Sequence, residues 1–256
     1  NGPMKNGPSW EMQVQLCNAA RHDLYVNLPT NAFDGTSGSE SSYFEKLARL
    51  ICFGSDGVEP YPTAQVDPVY PPLNSNLNVY LEYSNETWNW GGNAFRQSID
   101  LTELVKADLN AAVHGATNDP IARAQDWPII NYDNRSTTPD ANGNYSSMHV
   151  WRIRKGMLRS IQLSEVFRSV FGEAAMHTRV FPLFEWQYDD LNGTASHALA
   201  FAEDYFNNGD GSTHVANPKP IHHYLAGGGG ATYYGAANSF GTTEVLPNSG
   251  FETPIV

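Results

Sequence analysis

Apolar and polar positions alternate between residues 77 and 84: Val79, Leu81 and Tyr83 interleave with Tyr80, Glu82 and Ser84. A period of two, rich in β-formers, predicts a strand. Turn residues bracket it, with Asn74, Ser75 and Asn76 before and a run from Asn89 to Asn93 after. The strand therefore stops at Ser84 and delivers Asn85 and Glu86 at its carboxyl end. The same pattern organises the rest of the chain. Met12, Leu16, Ala19 and Ala20 keep a helical spacing over residues 10–20. Residues 23–28 (DLYVNL) read as a strand closed by Asn27 and Pro29. A polar loop over residues 31–41 follows. Then comes a helix with Phe44, Leu47, Ala48 and Ile51 as its apolar stripe, Ser41 or Ser42 as its cap and Glu45 in its first turn.

Residues 55–75 form a long proline-bearing connection. After the central strand, residues 93–112 read as mostly helical and residues 119–147 as a polar insertion. Residues 148–171 give the strongest helical signal, with Ile153, Met157, Ile161, Val166, Phe167, Val170 and Phe171 on the buried face and Gly172 as the stop. Residues 178–187 (TRVFPLFEWQ) predict a strand, residues 195–206 an amphipathic helix, and residues 221–226 (IHHYLA) a last short strand ahead of GGGGATYYG. Helix and strand alternate throughout, which predicts a parallel sheet with helical crossovers. About four strands are legible, whereas a closed (β/α)8 barrel of the TIM type needs eight. The expectation is an α/β fold in which this chain supplies part of such a barrel.

Composition narrows the function. The net charge of −12 leaves no basic run to meet phosphates, so nucleic acid is excluded as a partner. No stretch reaches the length of a membrane span. A low charged fraction, with many Asn, Ser, Thr, Gly and Tyr, fits a secreted or cell-surface protein. The opening NGPMKNGPSW reads as an internal loop, and both ends are expected to continue into a longer chain. Cys17 and Cys52 lie on the helices that flank the strand at residues 23–28; they either pair or stay free thiols.

The candidate chemistry gathers around the central strand. In parallel α/β folds, catalytic groups stand at the carboxyl ends of strands. A carboxyl there, with an amide before it and Trp88 and Trp90 after it, suits a sugar: indole faces pack on pyranose rings, and a carboxyl can protonate a glycosidic oxygen. The plainer alternative for Glu86 is a strand-end carboxylate that caps the backbone amides of Gly91 and Gly92, and for Asn85 an Asx turn. Asn85-Glu86-Thr87 is also formally a glycosylation sequon, but a glycan there would block the proposed site. Glu82 shares a strand face with Glu86, points inward and needs a partner such as an arginine. Trp186 and Gln187 end the later strand, stand at the mouth and are candidates for substrate contact; beyond the glycine run Tyr233 is a further substrate-binding candidate, and Tyr233 or Tyr234 a candidate to orient a catalytic carboxylate. No spacing of His and Cys suggests a metal, His222-His223 on a strand would face opposite ways, and the loop at residues 207–212 lacks the twelfth-position Glu of a calcium hand. No cofactor is expected.

The stretch YLEYSNETWN also resembles the fourth-strand motif of clan A glycoside hydrolases, in which Asn-Glu ends that strand of a (β/α)8 barrel. More narrowly it is similar to large secreted bacterial cellulase-like proteins with an EYSNExWN motif. LCNAARHDLYVNLP fits their helix and following strand that ends in Asn-x-Pro. The resemblance spans roughly residues 12–234. It implies hydrolysis of a β-linked polysaccharide, with Glu86 as general acid/base and Asn85 on the sugar 2-hydroxyl. It further implies that residues 1–245 are a barrel portion holding strands three to six, and that residues 246–256 lead into a further module, such as a β-sandwich. A retaining mechanism needs a second carboxylate about 5–5.5 Å away. In the clan that group ends the seventh strand, which is not found here, and Glu185 on the fifth is not assigned to the role. A non-catalytic barrel that binds carbohydrate, or a unit that completes itself with another chain in an extracellular assembly, is the competing expectation.

Overall fold

A computed structural model describes residues 7–32, 42–88, 96–115, 119, 121–187 and 191–231. Helix α1 (Trp10–Ala20) starts where the Ser9 hydroxyl accepts the Met12 amide and stops at Arg21 in the left-handed region. Strand β1 (Leu24–Leu28) follows, then α2 (Tyr43–Phe53). Ser42 caps α2 by accepting the Glu45 amide at 3.3 Å. Ser41, the other candidate cap, lies outside the described residues. Because Ser42 is fully buried, Ser42→Ala strands that amide away from water, and about 1–2 kcal/mol of stability is expected to be lost in a urea melt.

β2 (Val79–Tyr83) follows the long connection, α3 (Gln97–His114) comes next, and the short α4 (Trp127–Ile130) interrupts what the sequence reads as an irregular insertion. Helix α5 (Met148–Phe171) leads to β3 (Val180–Gln187). Helices α6 (Ser196–Phe201) and α7 (Ile221–Tyr224) precede β4 (Gly227–Ala231). The four strands lie in the order β1-β2-β3-β4, all parallel, with Leu24 opposite Val79, Val79 opposite Val180 and Leu183 opposite Gly227. The fold is thus a mixed α/β structure built on a four-stranded parallel sheet.

One element differs from expectation. Residues 221–226 are not a strand; Ile221–Tyr224 is a single helical turn set off by Pro220, and the last strand is the glycine run after it. The reason is space. A Cβ on Gly228 would stand 2.3 Å from the Phe184 carbonyl oxygen and 3.0 Å from the Trp186 ring, so only glycine fits against β3 there. Hydropathy is blind to such a strand because it has no side chains to alternate.

One face of the sheet is sealed. Val26, Leu28, Leu81, Tyr83 and Val180 join Phe44 and Ile51 of α2, Leu101 of α3 and Phe167 of α5 in one core. A second core gathers Trp127, Trp151, Met157, Phe184 and Phe201. Helix α5 lies between them and is buried on nearly every side, charges included. Arg154 forks onto Asp133 at 2.7 and 2.8 Å. Arg159 donates to the Ala32 carbonyl at 2.9 Å and lies 4.6 Å over the Phe44 ring. Lys155 Nζ sits 2.6 Å from both Asp108 and Asp126. Buried ions persist only when paired in this way. Cys17 and Cys52 are free thiols, and burial pushes both upward in pKa. Among the described residues no helix is long and apolar enough to cross a membrane.

Candidate active site at the carboxyl end of the sheet

Alternation along β2 sends Val79, Leu81 and Tyr83 into the core, so Tyr80 and Glu82 take the opposite face. Their register partners share that face: Tyr25 and Asn27 on β1, Phe181 and Leu183 on β3. Glu185 stands two residues beyond Leu183, opposite Gly229. The aromatic members form a row across three strands, with Tyr25 and Tyr80 centroids 6.4 Å apart and Tyr80 and Phe181 5.0 Å apart. Tyr25 remains 48% exposed, so this row is not covered as the helical face is.

Above the aromatic row the face turns acidic. Glu82 is 7% exposed. It takes neutral partners in place of the expected arginine. The Tyr25 hydroxyl donates to its carboxylate at 2.9 Å and the Asn27 amide at 2.5 Å. Burial pushes Glu82 up to about 7; the charges of Glu185 and Glu86 push the same way, while the two hydrogen bonds pull back. Glu185 is also raised by burial.

A carboxyl raised in the folded state from its ordinary 4.5 to about 7 holds its proton more tightly there than in the unfolded chain. The stability this lends is fully present below pH 4.5 and is lost as pH rises to about 7, a swing on the order of 3 kcal/mol. Glu82→Gln keeps an acceptor for Tyr25 and Asn27. It is expected to unfold at a higher temperature than the wild type at pH 8, with the gap closing at pH 5, as read by calorimetry. Equal melting temperatures at pH 8 would show that the carboxyl carries no such strain.

At the end of β2 the chain turns abruptly. Ser84 has φ 68° and Glu86 φ 46°, both left-handed and both without the freedom of glycine. Asn85 is exposed at this turn, whereas Glu86 and Trp88 are half-buried. The following carbonyl, that of Thr87, accepts the Ser98 hydroxyl of α3 at 2.5 Å and the Arg152 guanidinium of α5. Thr87 and Trp88 line a cleft of about 10 Å³ with Glu82, Leu183 and Glu185, room for about one water. The turn thus brings Glu86 and Trp88 to the same end of the sheet as Glu82 and Glu185.

The other candidates are dispersed. Trp186 stands on the opposite face of β3 from Glu185, stacked 6.4 Å from Phe184. It lines a separate apolar cavity of about 260 Å³ with Leu199, Ile221 and Leu225. Gln187 ends β3 opposite Ala231, and its side chain lies outside the described residues, as do Trp90, Tyr233 and Tyr234. His222 and His223 are on α7. In the loop at residues 207–212 the polar groups serve the turn: Asn208 accepts the amides of His214 and Val215, and Asp210 accepts that of Ser212 and meets the His214 ring at 2.9 Å. Among the described residues no group of three or more His, Cys, Asp or Glu is arranged to hold a metal ion. Sequence reasoning missed Asn27 and Thr30, whose signal was the pairing of the first two strand ends. No protein-family model, curated protein or solved structure matches the chain.

Proposed function

We propose that the chain is part of a glycoside hydrolase-like (β/α)8 barrel in which Glu86 is the general acid/base for hydrolysis of a β-linked polysaccharide, secreted or held at a bacterial-type cell surface. One observation carries the reading. Glu86 is a half-buried carboxyl at the carboxyl end of an inner strand of a parallel sheet, beyond a left-handed turn, near Trp88. The barrel is supported by the sequential, all-parallel strand order and by the two outer strands, β1 and β4, each paired on one side among the described residues. Closure with further strands would remove both edges and cover the row of Tyr25, Tyr80 and Phe181.

In this reading Glu86 protonates the glycosidic oxygen as its bond to the anomeric carbon breaks and a second carboxylate, from a part of the barrel beyond these four strands, bonds to that carbon; Glu86 then removes a proton from the water that displaces the carboxylate. Asn85 holds a sugar hydroxyl and the Trp88 ring packs on a pyranose face. A second reading, a carbohydrate-binding or scaffold protein completed by an adjoining β-sandwich module or another chain, draws support from Glu82. This carboxylate near Glu86 is buried and already engaged by Tyr25 and Asn27, so it is not free to act as a nucleophile. Assay of the intact protein on β-glucans, mannans and xylans decides between them. Release of reducing ends supports catalysis, whereas binding without release supports the second reading.

A further inference from the structure

The Glu86 turn is held from β1. Every polar group of Ser84 is bonded to that strand or to the turn after it. Its amide donates to the Leu28 carbonyl at 2.7 Å, its carbonyl accepts the Asn27 side-chain amide at 3.0 Å, and its hydroxyl meets that of Thr30 at 2.6 Å. Thr30 is itself fixed, because its carbonyl accepts the Tyr83 hydroxyl at 2.7 Å. Thr30 and Ser84 are 4% and 2% exposed, so these bonds face little competition from water. On the far side the Thr87 carbonyl is tied to Ser98 and Arg152. Asn85 and Glu86 therefore span two anchored points, with left-handed backbone at Ser84 and at Glu86. Such conformations persist in non-glycine residues only where the surroundings enforce them.

We propose that Asn27 and Thr30 are positioning residues for Glu86. By fixing Ser84 in its left-handed conformation they set the direction in which the Glu86 carboxyl leaves the sheet. Neither touches the substrate. The proposal rests on the reading of Glu86 as the acid/base, and a displacement of about 1 Å in such a group is enough to cost a hundredfold in rate.

The experiment uses the full chain with Thr30→Val, which keeps the volume and removes the hydroxyl, Thr30→Ser, which returns it, and Asn27→Ala. Two readouts are taken: the backbone amide resonances of Ser84, Asn85 and Glu86, and kcat and KM on the glycan the wild type cleaves best. Thr30→Val and Asn27→Ala are expected to shift those resonances and lower kcat roughly ten- to a hundredfold, with KM within about twofold. Thr30→Ser is expected to restore both. Should Asn27→Ala fail to fold, the two Thr30 variants decide alone. Unmoved resonances with wild-type kcat in Thr30→Val would overturn the positioning role and leave the glycosidase reading standing. Resonances that shift in a protein whose wild type cleaves no glycan would sustain the clamp and remove the glycosidase reading.

Discussion

Glu86→Gln is expected to reduce hydrolysis of a β-linked glycan by roughly a hundred- to ten-thousandfold, the range that general acid–base groups supply. The carboxyl is half-buried at the rim of the sheet, and glutamine matches its volume, so thermal unfolding is expected to stay within about a degree of the wild type. The defect should depend on the leaving group. An alkoxide leaving from a natural glycan needs the proton, whereas a nitrophenolate leaves without it, so an activated aryl glycoside should retain a larger share of its bond-breaking rate. Full activity of the variant on polysaccharide would remove Glu86 from the chemistry. Equal loss on both substrates would assign it to binding.

The second large effect is on stability. Lys155→Met is expected to cost about 3–5 kcal/mol, seen as a lower urea midpoint with an unchanged slope. The ammonium is 1% exposed and stands 2.6 Å from two carboxylates that are 0% and 4% exposed. Burial pushes Asp108 up to about 6, against the pull of Lys155 and of the Arg123 amide. Without the lysine, two desolvated carboxylates face each other and only protonation relieves them. Adding Asp108→Asn and Asp126→Asn to the same chain is expected to recover much of the loss, because no unpaired charge then remains in the core. A single variant as stable as the wild type would show that water reaches the cluster.

The elements that position the site were largely legible where side chains alternate. Val79, Leu81 and Tyr83 announced β2, and the turn residues around it placed Glu86 at its end, because burial on one face leaves a period of two. Helix α5 was equally plain from its apolar stripe. Its four buried cations were not, since each finds its acceptor on another element, and one residue's hydropathy says nothing of that. Glu82 shows the same limit. An inward carboxylate was readable, but its partners Tyr25 and Asn27 come from β1 and need the register of two strands to be known. The strand at residues 227–231 left no trace because glycine carries no pattern.

That glycine strand has a consequence for anything built beside it. Among the described residues β4 is the outermost strand on its side, and across Gly227, Gly228 and Gly229 it is bare peptide, with only amide and carbonyl spacing to meet a neighbour. A chain laid along it finds the same hydrogen-bond ladder at every second residue, so the ribbon itself cannot tell one alignment from the next. Whatever joins there must carry its own markers of register, in side chains that reach past the ribbon to Trp186 on one side or Glu185 on the other.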